Sequence, residues 1–135
     1  MRQGTDVTLV AHSRAVGQCM EAADMLAAKG ISAEVVNLRS IRPLDRDTIA
    51  ASVKKTSRLV VVEGGWPQFG VGAEVCATVF ETDAFEYLDA PVQRVTGADV
   101  PTPYAENLEA RAFPTANDVV SAAEVATARS LPFAA

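Results

Sequence analysis

Four short runs rich in β-branched residues, DVTLVA (6–11), AEVVNL (33–38), RLVVVE (58–63) and VQRVTG (92–97), alternate with longer stretches of helical character. No other feature constrains the fold so tightly. Strands separated by helices must pair in parallel, because each helix returns the chain to the end of the sheet where the last strand began, with a right-handed crossover. The valine runs are nearly continuous instead of alternating with polar residues, so both faces of the sheet must be covered. The expected architecture is α/β: a three-layer α/β/α sandwich around a mainly parallel sheet. A chain of 135 residues suffices for one such domain, 1–135, with a normal core.

The helical stretches carry their own start and stop signals. Between Arg14 and Lys29 the residues Val16, Cys19, Ala23 and Leu26 recur at helical spacing, and Gly30 supplies a C-terminal cap. Pro43 and Asp45 open a second helix carrying Ile49 and Val53, with Lys54 and Lys55 in its last turn, where cations suit the helix dipole. A third helix is predicted over Val71–Thr82, with Val75, Cys76, Val79 and Phe80 inward. Pro101 and Pro103 hold an irregular loop. Thr115 and Asp118 form a capping box that opens a last helix, reaching about Arg129.

Charge and cysteine usage exclude several functions. The net charge of −5 disfavours nucleic acid and anionic membranes as partners and favours basic proteins. No apolar run is long enough to span a membrane, and the first residues show no signal-peptide pattern. Cys19 and Cys76 lack metal spacing and a CxxC arrangement, so both read as reduced thiols within helices.

In a parallel sheet, functional groups gather beyond the C-terminal ends of the strands. His12, Arg39, Glu63 and Asp99 fall there. The stretch VVVEGGWPQFGVGAEV (60–75) runs from strand through glycine loop to helix, the order of a phosphate cradle. Yet Gly70 and Gly72 have Val75 where a third glycine belongs, and no Gly-Lys-Ser/Thr follows. Glu63 and Glu74 place carboxylates where they satisfy the helix dipole and repel phosphate. Trp66, Pro67 and Phe69 make the loop an apolar tip suited to docking on another domain. His12 could be a general acid or base, but no nucleophile or carboxylate can be assigned to it, so a structural or interface role is favoured. Arg39 and Arg42 fit an anion grip or ion pairs with Asp45 and Asp47. Asp99 fits a metal ligand or, next to Pro101, a turn, and the turn is favoured.

The strings TLVAHSRAVGQCMEAADML, NLRSIRPLD, VEGGWPQFGVGAEV and LDAPVQRVTGADVPTPYA resemble, from about Gln3 to Ala128, the C-terminal domain of pyruvate dehydrogenase beta subunits, the transketolase C-terminal type. EGGWPQFGVGAE is the specific motif among them. The resemblance implies a whole enzyme of two alpha and two beta subunits that uses thiamine diphosphate and magnesium. That enzyme decarboxylates pyruvate and passes the acetyl group to a lipoyl group on the dihydrolipoyl acetyltransferase core. It implies no catalytic, cofactor-binding or metal-binding residue in this domain, which lacks the Gly-Asp-Gly and Asn-Asn motif; the alpha subunit and the beta N-terminal domain hold the cofactor. Trp66, Pro67, Phe69, His12 and Arg39 would face the alpha subunit and the second beta subunit. Asp89 and the C-terminal Ala135 would contact the basic subunit-binding domain of the acetyltransferase. The expected location is the mitochondrial matrix for a eukaryotic source and the cytoplasm for a bacterial one.

The resemblance also makes residues 1–4 the remnant of an antiparallel edge strand, or a linker, beside 33–38. An uncovered edge there would favour self-association. The tail 130–135, ending SLPFAA, differs from the lysine-rich tails of such subunits. Two alternatives remain at this point: the same domain of another 2-oxoacid dehydrogenase or transketolase-like enzyme, and a stand-alone α/β binding module.

Overall fold

The computed structural model describes residues 1–128. Four parallel strands, β1 (Val7–Ala11), β2 (Ala33–Asn37), β3 (Leu59–Val62) and β4 (Gln93–Val95), lie in the order β2-β1-β3-β4. Between and after them come α1 (Ala15–Ala28), α2 (Arg46–Thr56), α3 (Val71–Phe80), a 3-10 turn at Asp83–Tyr87, α4 (Glu106–Ala112) and α5 (Ala116–Ala128). Leu9 of β1 packs in one apolar cluster with α1 and α5, while its neighbour Val10 packs in another with α2 and α3. Successive strand residues point to opposite faces. Both being buried is the reason these strands read as unbroken apolar runs, and it gives the expected three layers. Fully burying a side chain such as Leu9 or Leu26 contributes about 1.5–3 kcal/mol.

The helix ends follow their local signals. Gly30, at φ 80°, lets Ile31 N–H reach Leu26 O and Gly30 N–H reach Ala27 O, each at 3.0 Å, closing α1. Asp45 caps α2 by accepting from Thr48 N–H at 3.0 Å. Thr115 and Asp118 form the reciprocal box: Asp118 Oδ2 accepts from Thr115 N–H at 2.7 Å, and Thr115 Oγ1 accepts from Asp118 N–H at 3.4 Å. Cys19 and Cys76 are free thiols. Burial pushes the Cys19 thiol up to about 12, which keeps it protonated and unreactive at neutral pH.

Two expectations are corrected. Phe80 faces outward and Cys76 is only partly buried, because each follows an inward residue of α3, Val79 and Val75, and one residue further turns the side chain about 100° round the helix. Pro101 and Pro103 do hold an irregular loop, and after it comes α4, which the sequence reading did not foresee, an exposed helix in which only Ala112 is buried. A turn of 3-10 helix follows α3 at Asp83–Tyr87, a stretch to which the sequence reading assigned no element. Finally, the edge of β2 is not bare. Arg2 bridges antiparallel to Val35, with Val35 N–H donating to Arg2 O at 3.0 Å. The chain crosses so close at Gly4 that a Cβ there would sit 2.2 Å from Ala33 C and Glu34 N. Residues 1–4 thus cover the middle of β2.

Beneath that crossing lies a buried polar group. Thr8 Oγ1 lies 2.7 Å from both Ser52 Oγ and Thr56 Oγ1, and Ser52 Oγ donates to Glu34 Oε1 at 2.6 Å. Glu34 Oε2 accepts from Lys55 Nζ and, at 3.3 Å, from Gly4 N–H.

Candidate functional site

The loop from β3 to α3 is built around Glu63. Its N–H donates to Val95 O at 3.0 Å, continuing the β3–β4 ladder by one residue. Its side chain, 5% exposed, turns back under the loop. Oε2 accepts from Val71 N–H at 3.0 Å and Oε1 from Gly72 N–H at 2.9 Å. These are the unpaired donors of the first turn of α3, where the helix dipole is positive. A Cβ on Gly70 or Gly72 would come within 2.5 or 2.7 Å of Glu63 Oε1. The glycines therefore make room for a carboxylate of the chain itself. Arg94, whose Nη2 lies 4.0 Å from Oε1, donates to Pro67 O and adds a positive charge.

A diphosphate at this helix end would meet the Glu63 carboxylate, so this loop does not fit the phosphate end of thiamine diphosphate. Among the described residues no three of His, Cys, Asp and Glu come together as a metal site. Calorimetric titration of the chain with thiamine diphosphate and magnesium is expected to be flat. A saturable one-to-one heat at micromolar concentration would overturn that expectation.

Held from below in this way, the loop projects its apolar residues. Phe69 stands fully exposed at 101%, with φ 56° in the left-handed region that branched or bulky residues seldom adopt. Trp66 is 56% exposed, and its Nε1–H donates to Val100 O at 3.0 Å. Pro67 is half-buried. The Trp66 bond ties the β3–α3 loop to the segment after β4. Gly97 ties it a second time, donating to Gly65 O at 2.8 Å; a Cβ there would fall 2.6 Å from Gly64 O. The second segment adds exposed apolar groups of its own: Tyr104 at 105%, Val100 and Leu108. Sequence reading missed these three. Their signal was an apolar residue on either side of Pro101 and Pro103 and another in the polar stretch that became α4.

His12 follows β1 and is half-buried; its Nε2 is buried with no hydrogen-bond partner among the described residues. It borders a cleft of about 250 Å³ with Arg14, Gln18, Gly64, Phe113 and Pro114. This cleft lies where the connections from neighbouring strands diverge, between β1 and β3. On the other side His12 shares a cleft with Arg39, which is exposed. The fold thus brings His12 and Arg39 together beyond the strand ends, on the edge that also carries Trp66 and Phe69. Asp99 sits in an exposed bend.

Asp89 lies at the opposite end of the sheet, ahead of β4. Arg58 grips it through both oxygens, Nε to Oδ1 at 3.0 Å and Nη2 to Oδ2 at 2.8 Å, and Asp89 N–H donates to Ser57 O at 3.0 Å. Ala135 and the tail 130–135 lie outside the described residues.

The model of the family "Transketolase, C-terminal domain" matches residues 1–119. The chain is 60% identical over 134 residues to pyruvate dehydrogenase E1 component subunit beta-2, mitochondrial, of Oryza sativa subsp. japonica, covering 99% of this chain and 35% of that protein. It is 62% identical over 121 residues to the mitochondrial subunit beta of Bos taurus, covering 90% of this chain and 34% of that protein. The chain therefore spans about a third of the length of these relatives. Among solved structures, a split gene transketolase, inactive beta4 tetramer, superposes with a TM-score of 0.81 at 32% identity, covering 96% of this chain and 41% of that chain. In sequence and in fold alike, the chain belongs to the transketolase C-terminal domain family.

Proposed function

We propose that the chain serves as the C-terminal domain of a pyruvate dehydrogenase beta subunit and that its own task is assembly. The observation that carries this reading is identity of 60% through 99% of the chain to such a subunit. The geometry supports it: a buried carboxylate props up an exposed aromatic tip, and His12 Nε2 meets no hydrogen-bond partner among the described residues. In the whole enzyme, thiamine diphosphate and magnesium would serve the oxidative decarboxylation of pyruvate and acetyl transfer to a lipoyl group. They would be held by the alpha subunit and the beta N-terminal domain. A eukaryotic protein of this kind would work in the mitochondrial matrix, in keeping with the word mitochondrial in the names of the relatives, and a bacterial one in the cytoplasm.

Trp66, Pro67 and Phe69 would pack on the alpha subunit and the second beta subunit, with His12 and Arg39 in the adjoining clefts. Exposed aromatics of this size are the residues that dominate interface energies. Asp89 would contact the basic subunit-binding domain of the dihydrolipoyl acetyltransferase, with Ala135 contributing the terminal carboxylate. Arg58 leaves lone pairs on the Asp89 oxygens, so an arginine of the partner can share the carboxylate.

The test is Phe69→Ser in the assembled enzyme, followed by sedimentation velocity during dilution. The variant is expected to dissociate at roughly tenfold higher concentration or more, in keeping with a central aromatic contact. Sedimentation indistinguishable from the parent would remove the tip from the subunit interface.

A further inference from the structure

We propose that the cleft beside His12 binds a small organic acid, whose carboxylate sits between Arg14 and the His12 imidazole and whose apolar body lies against Phe113 and Pro114. The ligand binds this chain on its own and needs no subunit contact.

Charge singles out this end of the sheet. The net charge of the chain is −5, and elsewhere its cations face its own carboxylates: Lys29 faces Glu124, Arg46 faces Glu81 and Lys54 faces Asp83. Among the described residues Arg14, Arg39, Arg42 and Arg111 enter no ion pair. All four sit in the segments that leave the C-terminal ends of β1, β2 and β4. Arg14 borders the cleft on one side of His12, and Arg39 borders the cleft on the other. An anion beside the imidazole is therefore drawn by cations from both sides. The neighbouring cleft, past Arg14 and Gln18, is lined by Glu21, Glu106 and Glu109. Those carboxylates repel an anion and confine it to the His12 side.

The cleft offers more than charge. It encloses about 250 Å³, with the half-buried Phe113 and the buried Pro114 as its apolar wall. Gln18 donates to Pro114 O and fixes that wall to α1. Gly64 lies across from it, where an added Cβ would sit 3.5 Å from Phe113 Cδ1. His12 Nε2 is buried and has no hydrogen-bond partner among the described residues. Such a nitrogen carries an uncompensated desolvation cost, and an acceptor placed in the cleft removes it once the half-buried ring turns to donate. The Arg14 fork matches the two oxygens of a carboxylate. Inorganic phosphate is strongly hydrated and brings no apolar surface to Phe113, so it gains the charge contact alone. An acid with a hydrocarbon body gains that contact and the burial together.

The test is an NMR titration of the whole chain, in which the ring protons of its single histidine report on the cleft. The probe is benzoate, compared with benzamide, acetate and inorganic phosphate. Benzoate is expected to shift the His12 ring signals saturably, with a dissociation constant on the order of a millimolar. Benzamide, which lacks the charge, and acetate, which lacks the body, should bind at least about tenfold more weakly. Arg14→Gln alters an exposed side chain and should weaken benzoate about fivefold, the upper range for an exposed ion pair. An equal urea midpoint establishes that the variant folds. No saturable shift with benzoate, or equal affinities for benzoate and benzamide, would overturn the site. A phosphate response as strong as that of benzoate would reduce the cleft to a diffuse positive field and overturn it too. Because the titration uses the chain alone, its outcome stands apart from the sedimentation of the Phe69→Ser enzyme.

Discussion

Glu63→Ala is expected to lower the stability of the domain by about 3 kcal/mol, the sum of two charge-assisted hydrogen bonds and a buried donor left unpaired. Among the described residues the carboxylate is the only acceptor for Val71 N–H and Gly72 N–H, and Gly72 is buried. The loss would register as a lower urea midpoint. Glu63→Gln keeps one oxygen and should lose about half as much. The substitution to Ala also empties a seat shaped for an anion, with two N–H groups at a helix start and Arg94 nearby. Inorganic phosphate should therefore raise the melting temperature of Glu63→Ala and leave that of the parent unchanged. Equal phosphate responses would show that the carboxylate does not fill the seat in solution.

The second large effect concerns Glu34. It is 7% exposed, and its oxygens are taken by Ser52, Lys55 and Gly4 N–H. Burial works to raise its carboxyl, but the hydrogen bonds from Lys55, Ser52 and Gly4, with the Lys55 charge, outweigh burial and hold it below the usual 4.5. A carboxyl lowered on folding contributes stability that is fully present above its unfolded value and lost as pH falls through its folded value. The contribution should therefore be complete near neutrality and disappear below about pH 4.5. Glu34→Ala is expected to cost about 2 kcal/mol near neutral pH. The figure is that of charge-assisted hydrogen bonds instead of a fully buried ion pair, because the Lys55 side chain is 40% exposed and can return to water. Denaturation of parent and Glu34→Gln across this acid range would check it. Identical pH dependence in the two proteins would refute a charged Glu34.

These two glutamates differ in how legible they were. Glu63 stood out because it leads a glycine loop, and a carboxylate in that place had an electrostatic reason to oppose phosphate. Glu34 drew no attention inside AEVVNL. Its partners Ser52 and Lys55 come from α2, which shares no sequence signal with β2. Asp89 was singled out from a resemblance, whereas the Arg58 fork that holds it joins positions 31 apart.

The sequence by itself determined the layers and most of the elements. Burial on both faces leaves unbroken valine runs, and one-sided burial leaves the stripe of Val16, Cys19, Ala23 and Leu26. Gly30, Asp45 and the Thr115–Asp118 pair were readable as caps because each acts on donors or acceptors within a few residues. Helix α4 left no stripe, because its residues Glu106–Arg111 are all exposed. Only the tertiary structure decided the order β2-β1-β3-β4, the crossing of Gly4 over β2 and the bond from Trp66 to Val100, 34 residues away. It alone turned Phe80 outward onto Phe85. Those arrangements depend on which surfaces meet once the helices have packed, and contacts between distant segments leave no periodic trace in either segment.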